Sequence, residues 1–179
     1  MSFHHLHVRS QFCPLRGMVP LASLADAGAC SPVVATDRNL WAQVKLAKLC
    51  AKSGARLVHA AEVAVRWGGE GQVGHVVVLA RSRDGWRALR WLCSLATPAA
   101  CDLAQLSEAV AMAGGWTADR CKIAQAGAIS GQSVDGGLVV LTGGSAENGG
   151  LLHSAWRAGG WDAAADALAA LRGAGLRGD

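Results

Sequence analysis

The chain alternates short apolar runs with amphipathic stretches, and glycines or prolines mark many of the joints. Residues 4–8 alternate polar and apolar around Leu6 and Val8, which predicts a short strand. Residues 19–27 follow a helical spacing, with Pro20 in the first turn and Gly28 as the stop. Residues 31–36 read as a buried strand ending in polar Thr36 and Asp37. An amphipathic helix is expected over residues 40–53, with Leu40, Val44, Ala47 and Ala51 on one face and Gly54 as its cap. A third strand is expected over residues 56–60, running on through Glu62 and Val65, and the turn at 68–71 leads to a fourth over 75–80. Helices at 85–95 and 102–112 flank Pro98. Weakly patterned residues up to about 135 precede a strand at 138–142 and two short helices at 148–158 and 162–172.

Strand–helix alternation implies parallel pairing and right-handed crossovers, hence an α/β layer or barrel. The 179 residues suit one domain, here residues 1–172, with a flexible tail over 173–179. An apolar share of 51% and a charged share of 17% describe a core-building chain rather than a disordered one. No continuous apolar run approaches the roughly 18 to 20 residues of a membrane span. The first residues lack a basic start followed by an apolar signal core, so a cytoplasmic protein is expected, with no membrane partner.

Seventeen Lys and Arg against thirteen Asp and Glu give a net charge of +4, compatible with nucleic acid but without a dense basic stripe. The arginines between Arg81 and Arg90 fall at helical spacing and read as a solvated face. Six cysteines contain no Cys-x-x-Cys pair and read as buried reduced thiols, not as a zinc ribbon or disulfide framework. Trp86 and Trp91 flank one helix-like run, and Trp156 and Trp161 another, and all four read as core-facing anchors.

In folds of this kind, polar residues at the C-terminal ends of strands line the active face. Here those positions hold His7, Arg9, Asp37, Arg38 and Glu62. Imidazole and carboxylate ligands converging from separate segments are what a metal ion requires, which makes His7, Asp37, Glu62 and His75 a candidate set. His5 and His7, two apart, share one face of the expected strand. Any single one of these histidines is better explained as a satisfied surface or core residue.

The order of these residues resembles a known family. Phe3-His-His-Leu-His-Val-Arg-Ser10 followed by Phe12-Cys-Pro-Leu-Arg-Gly17 is similar to the opening of a PHP (polymerase and histidinol phosphatase) domain. The resemblance is strongest to the PHP domain of bacterial DNA polymerase III alpha subunits, including their error-prone paralogues. It continues through Val34-Ala-Thr-Asp-Arg-Asn-Leu40, residues 49–58, Ala61-Glu62, residues 75–86 and residues 137–144, leaving a poorly matched middle. It implies an incomplete, distorted (β/α) barrel with mostly parallel strands and a metal-dependent phosphoesterase ancestry. On this resemblance His7, Asp37, Glu62 and His75 correspond to metal ligands of the family.

Departures from the family pattern set the functional expectation. Arg9 stands where the second His of the His-x-His pair belongs, Arg16 replaces an Asp, Arg38 replaces a His and Gly144 replaces a Cys. The sequence ends before the family's late Asp-x-His strand and before any polymerase palm, fingers or thumb. A guanidinium offers no lone pair to a metal, and its fixed charge repels divalent cations. The expectation is therefore a degenerate, truncated PHP domain acting as a scaffold or partner-binding module in a replication or repair setting. DNA polymerase or proofreading exonuclease subunits are the expected partners, and self-association through open barrel edges is a further one. Closure of the barrel by residues 114–129 is an open alternative. Two further readings stay open. One is a residual 3′-5′ exonuclease-like phosphoesterase holding one Zn or Mn ion; the other is an anion or nucleic-acid binder using Arg9, Arg16 and Arg38.

Overall fold

The computed structural model describes residues 4–28, 32–68, 72–96, 99–114, 137–142 and 150–173. Expectations for Cys30, Cys121, Gly144, residues 69–71, Pro98, residues 115–135 and the tail from residue 174 lie outside them. The described elements are, in order, α1 (Leu21–Ala27), β1 (Val33–Ala35), α2 (Gln43–Ser53), β2 (Leu57–Arg66) and β3 (Val73–Ala80). They continue with α3 (Arg83–Leu95), β4 (Cys101–Asp102), α4 (Leu103–Met112), β5 (Leu138–Leu141) and α5 (Leu151–Gly173).

The strands form one open sheet in the order β1-β2-β3-β5, with β4 added beside β2. β1 runs parallel to β2, with Val33 opposite Leu57 and Ala35 opposite His59. β4 is also parallel to β2, at Val65 and Arg66. β2 and β3 instead pair antiparallel, from Ala60 opposite Leu79 to Arg66 opposite Val73, and β5 is antiparallel to β3. The expected run of parallel pairs therefore holds only around β2. Residues 67–72 between β2 and β3 are the reason. A parallel return needs a crossover of about a dozen residues, whereas a short connection closes a hairpin. The fold is thus a mixed α/β arrangement, and the described residues do not close a barrel.

β2 and β3 are rich in valine and alanine because both sheet faces are covered. Ala61, Val63, Val65, Val76 and Val78 point to the helix side, where they meet Leu89 and Leu92 of α3, Leu106 of α4 and Leu151 and Leu171 of α5. Burying each such leucine stabilises the fold by about 2 kcal/mol. On the opposite face Val34, Ala60, Val77, Leu79 and Val139 pack with Leu6 of the N-terminal segment. Gly74 lets α5 lie directly on β3, since a Cβ there would fall 2.5 Å from the Leu151 Cα.

α3 follows its sequence pattern. Ala88, Leu89, Leu92 and Cys93 are buried, Arg83, Arg87 and Arg90 are exposed, and Ser82 caps the helix by accepting from the Gly85 N–H at 3.0 Å. α4 carries a capping box: Asp102 accepts from the Gln105 N–H at 2.8 Å and Gln105 accepts from the Asp102 N–H at 3.0 Å. Replacing Asp102 with alanine is expected to cost about 1 kcal/mol in urea unfolding. A change below a few tenths would mean the box contributes nothing net. The two expected C-terminal helices occur as halves of α5, joined at non-helical Gly159 and Gly160.

Several expectations are corrected. Residues 4–8 form no strand: the Val8 carbonyl accepts both the Thr36 N–H at 2.7 Å and the Thr36 hydroxyl at 3.1 Å, instead of joining a ladder. Pro20 lies just outside α1 as its cap, and Gly28 ends that helix in a right-handed conformation. Gly54 closes α2 left-handed at φ +73°, as expected. The buried face of α2 is Gln43, Leu46 and Cys50, one residue round from the expected stripe, and Val44 is 67% exposed. Trp86 and Trp91 do pack partly buried against the core, but Trp156 and Trp161 are 45% and 81% exposed. They meet edge-on beside the Gly159–Gly160 break. No helix among the described residues is long and apolar enough to cross a membrane.

Candidate functional site

The N-terminal segment, the end of β1 and the middle of β2 converge on the sheet face opposite the main helix layer. By strand alternation Glu62 shares that face with Ala60, and it sits opposite Val77 in the β2–β3 ladder. Its backbone N–H donates to the Asp37 carbonyl at 3.1 Å, which ties the loop after β1 to β2.

Glu62 is the centre of an ion-pair cluster. Nη2 of Arg9 donates to both carboxylate oxygens at 2.8 Å, and Nε of Arg38 donates to Oε2 at 3.2 Å. The Glu62 side chain is 2% exposed and that of Arg9 12%, whereas Arg38 keeps 36%. A buried carboxylate survives only with such compensation, because desolvating it alone is prohibitive.

Asp37, fully buried, is held separately. Its Oδ1 accepts the Ser10 N–H at 2.7 Å and its Oδ2 accepts the Ser10 hydroxyl at 2.5 Å. Ser10 is itself positioned by a bridge to Val19 and by Gly17, where a Cβ would collide with the Ser10 carbonyl oxygen. Ser10 was not singled out by the sequence pattern. The signal for it would have been a hydroxyl directly after Arg9, beside a segment that meets a buried carboxylate.

His7 lies beside this cluster. Burial pulls its imidazole below the ordinary value of 6.5; Glu62 opposes that shift and Arg9 adds to it. Its Nε2 is buried without a hydrogen-bond partner. His75 lies on the same sheet face opposite Ala64, two pairs along from Glu62. His5 is exposed, and Arg16 is exposed on the turn that closes onto Cys13, outside the Glu62 cluster.

Of the sequence candidates, then, the structure brings together Arg9, Arg38 and Glu62, with His7 and Asp37 adjoining. As placed, this donor set does not fit a metal ion. Both oxygens of each carboxylate already accept hydrogen bonds, and no group of three His, Cys, Asp or Glu among the described residues is arranged to hold one. Two guanidinium and two carboxylate groups also cancel in formal charge, leaving no net attraction for an anion from these four. Two of the described thiols are poor nucleophiles: burial, with Cys101 nearby, pushes Cys93 up to about 12, and burial with Asp102 nearby pushes Cys101 to about 11.

A second histidine, His59, is also held below 6.5 by burial. Since His7 and His59 bind protons more readily unfolded than folded, their contribution to stability is complete above about pH 6.5. It is lost as pH falls below that value toward the depressed folded values. Denaturant unfolding across this range is expected to show a shallower acid-side loss in His7→Asn than in the parent. Equal slopes would mean His7 is not desolvated.

No protein-family model matches the chain, and no curated protein matches it.

Proposed function

We propose that this chain is a non-catalytic, PHP-like scaffold or partner-binding module for replication or repair proteins, in which an internal ion-pair cluster stands where relatives would hold metal. The observation that carries the reading is the occupation of both Glu62 oxygens by Arg9 and Arg38. Arginine at those positions provides a permanent counter-charge, so the fold needs no cation to keep Glu62 buried. The colinear resemblance of the sequence supports this reading, and the mixed α/β fold is compatible with it.

A hydrolase reading would require Asp37 and Glu62 to release Ser10, Arg9 and Arg38 before binding a metal. An anion-binding reading would require Arg9 and Arg38 to leave Glu62. The test is metal content after purification without chelator, with thermal unfolding in Mn²⁺ and Zn²⁺. The expected result is no stoichiometric metal and an unchanged Tm. About one ion per chain, lost in His7→Ala, would overturn the scaffold and restore the hydrolase. For the partner, immobilised chain is expected to retain a purified polymerase alpha subunit or proofreading exonuclease subunit; retention of neither removes the replication setting.

A further inference from the structure

The opposite side of the molecule carries a second feature, independent of the proposed function. The apolar residues of α2 that face away from the core do not simply meet solvent. Val44, Ala47 and Ala51 form one wall of an open groove of about 400 Å³, with Trp86 of α3 and His59 of β2 forming the other and Lys48 at its edge. The His59 and Trp86 rings stack with centroids 4.3 Å apart. The groove is within the size range of small-molecule sites, which are mostly apolar with a few placed polar groups.

The polar group here has a fixed role. Gln43 directs its amide nitrogen to the carbonyls of Ala35 and Ala60, at 3.1 and 3.0 Å. Carbonyls only accept, so the amide orientation is determined, and the Gln43 oxygen must accept from His59 Nδ1 at 2.8 Å. His59 is therefore the Nδ1–H tautomer, and its Nε2 presents a lone pair. That atom has no hydrogen-bond partner among the described residues and is not sealed by protein. A backbone-anchored amide thus orients a neutral imidazole as a hydrogen-bond acceptor at an apolar, aromatic groove.

We propose that this groove binds a small hydroxyaromatic molecule, its ring against the α2 methyl groups and its hydroxyl donating to His59 Nε2. Lys48 is the one formally charged lining group among the described residues, so an anionic substituent such as a carboxylate complements the edge. A phenol meets all three demands: a flat apolar body, a single strong donor, and room for a charged group opposite it.

The probes are 4-hydroxybenzoate and 4-methoxybenzoate, which differ in the donor. Titration of the ¹⁵N-histidine-labelled full chain, followed by nitrogen-resolved NMR, is expected to show saturable binding of the hydroxy compound with the largest shift at His59 Nε2. The methoxy compound is expected to bind about tenfold more weakly, the worth of one well-made hydrogen bond. In His59→Phe, which keeps a ring against Trp86, that discrimination is expected to vanish. No saturable binding of the hydroxy compound, equal binding of the two, or shifts confined to other histidines would each overturn the proposal. The measurement on the unsubstituted chain decides it even if His59→Phe fails to fold.

Discussion

Arg9→Met is expected to cost about 3 to 5 kcal/mol of folding stability, the range for breaking a buried pair by removing one partner. Methionine keeps most of the stem's packing, so the loss isolates the charge. Glu62, 2% exposed, would be left with Arg38 alone, whose contact is 3.2 Å and whose side chain is 36% exposed. Solvent weakens that remaining interaction, and Arg38→Met is correspondingly expected to cost no more than about 1 kcal/mol. A domain's total stability is only about 5 to 15 kcal/mol, so Arg9→Met takes a large fraction of it. Combining Arg9→Met with Glu62→Leu is expected to recover most of the loss, because the penalty comes from an unpaired buried charge. Urea unfolding of the three variants and the parent decides it. If Arg9→Met cost no more than Arg38→Met, the cluster would be a solvated contact and not the structural replacement for a cation.

How much of this was legible in the sequence depends on what kind of information each feature needed. α3 was readable from arginines at helical spacing between Arg81 and Arg90, but it was expected only from residue 85, and its cap at Ser82 was not singled out. β2 and β3 were readable as apolar runs, but their mutual direction was inferred from alternation alone. The short link at residues 67–72 held the better signal for a hairpin. The face of α2 was misread because two stripes one residue apart are both plausible. Periodicity favours the apolar Val44, Ala47 and Ala51, whereas the burial of Gln43 depends on carbonyls contributed by two strands.

The candidate site shows the same division. The strand-end rule collected Arg9, Asp37, Arg38 and Glu62, which the fold does place near one another. It could not assign partners, because pairing depends on where side chains land after the N-terminal segment crosses the end of β1. Asp37 is taken by Ser10 and Glu62 by two arginines, while Arg16, close in sequence, remains exposed. The tryptophans near the α5 break illustrate the complementary failure. Trp161 falls between the two expected helices, directly after glycines whose non-helical conformation redirects the chain, so helical spacing could not say which way it faces.

Gln43→Leu is the second large effect, expected at about 2 to 4 kcal/mol. The substitution looks conservative by volume and even favourable by hydropathy, since Gln43 is 1% exposed and sits on the core face of α2. Its amide, however, joins three partners at once: the Ala35 carbonyl of β1, the Ala60 carbonyl of β2 and the His59 ring. β1 is only three residues long, so this side chain supplements a short parallel ladder where it ends. Leucine would leave two carbonyls and the His59 N–H to lose a partner together, and each buried loss costs about 1 to 3 kcal/mol before relaxation. Val44→Ala on the neighbouring exposed position is expected to stay within about 0.5 kcal/mol. Amide hydrogen exchange should localise the difference, with faster exchange in Gln43→Leu at Val33, whose N–H donates to the Arg56 carbonyl at 2.7 Å, than at the central β2–β3 pairs. A neutral or stabilising result would mean that apolar filling outweighs the amide's bonds. Those bonds would then serve to hold His59 in one tautomer, not to hold β1 on the sheet.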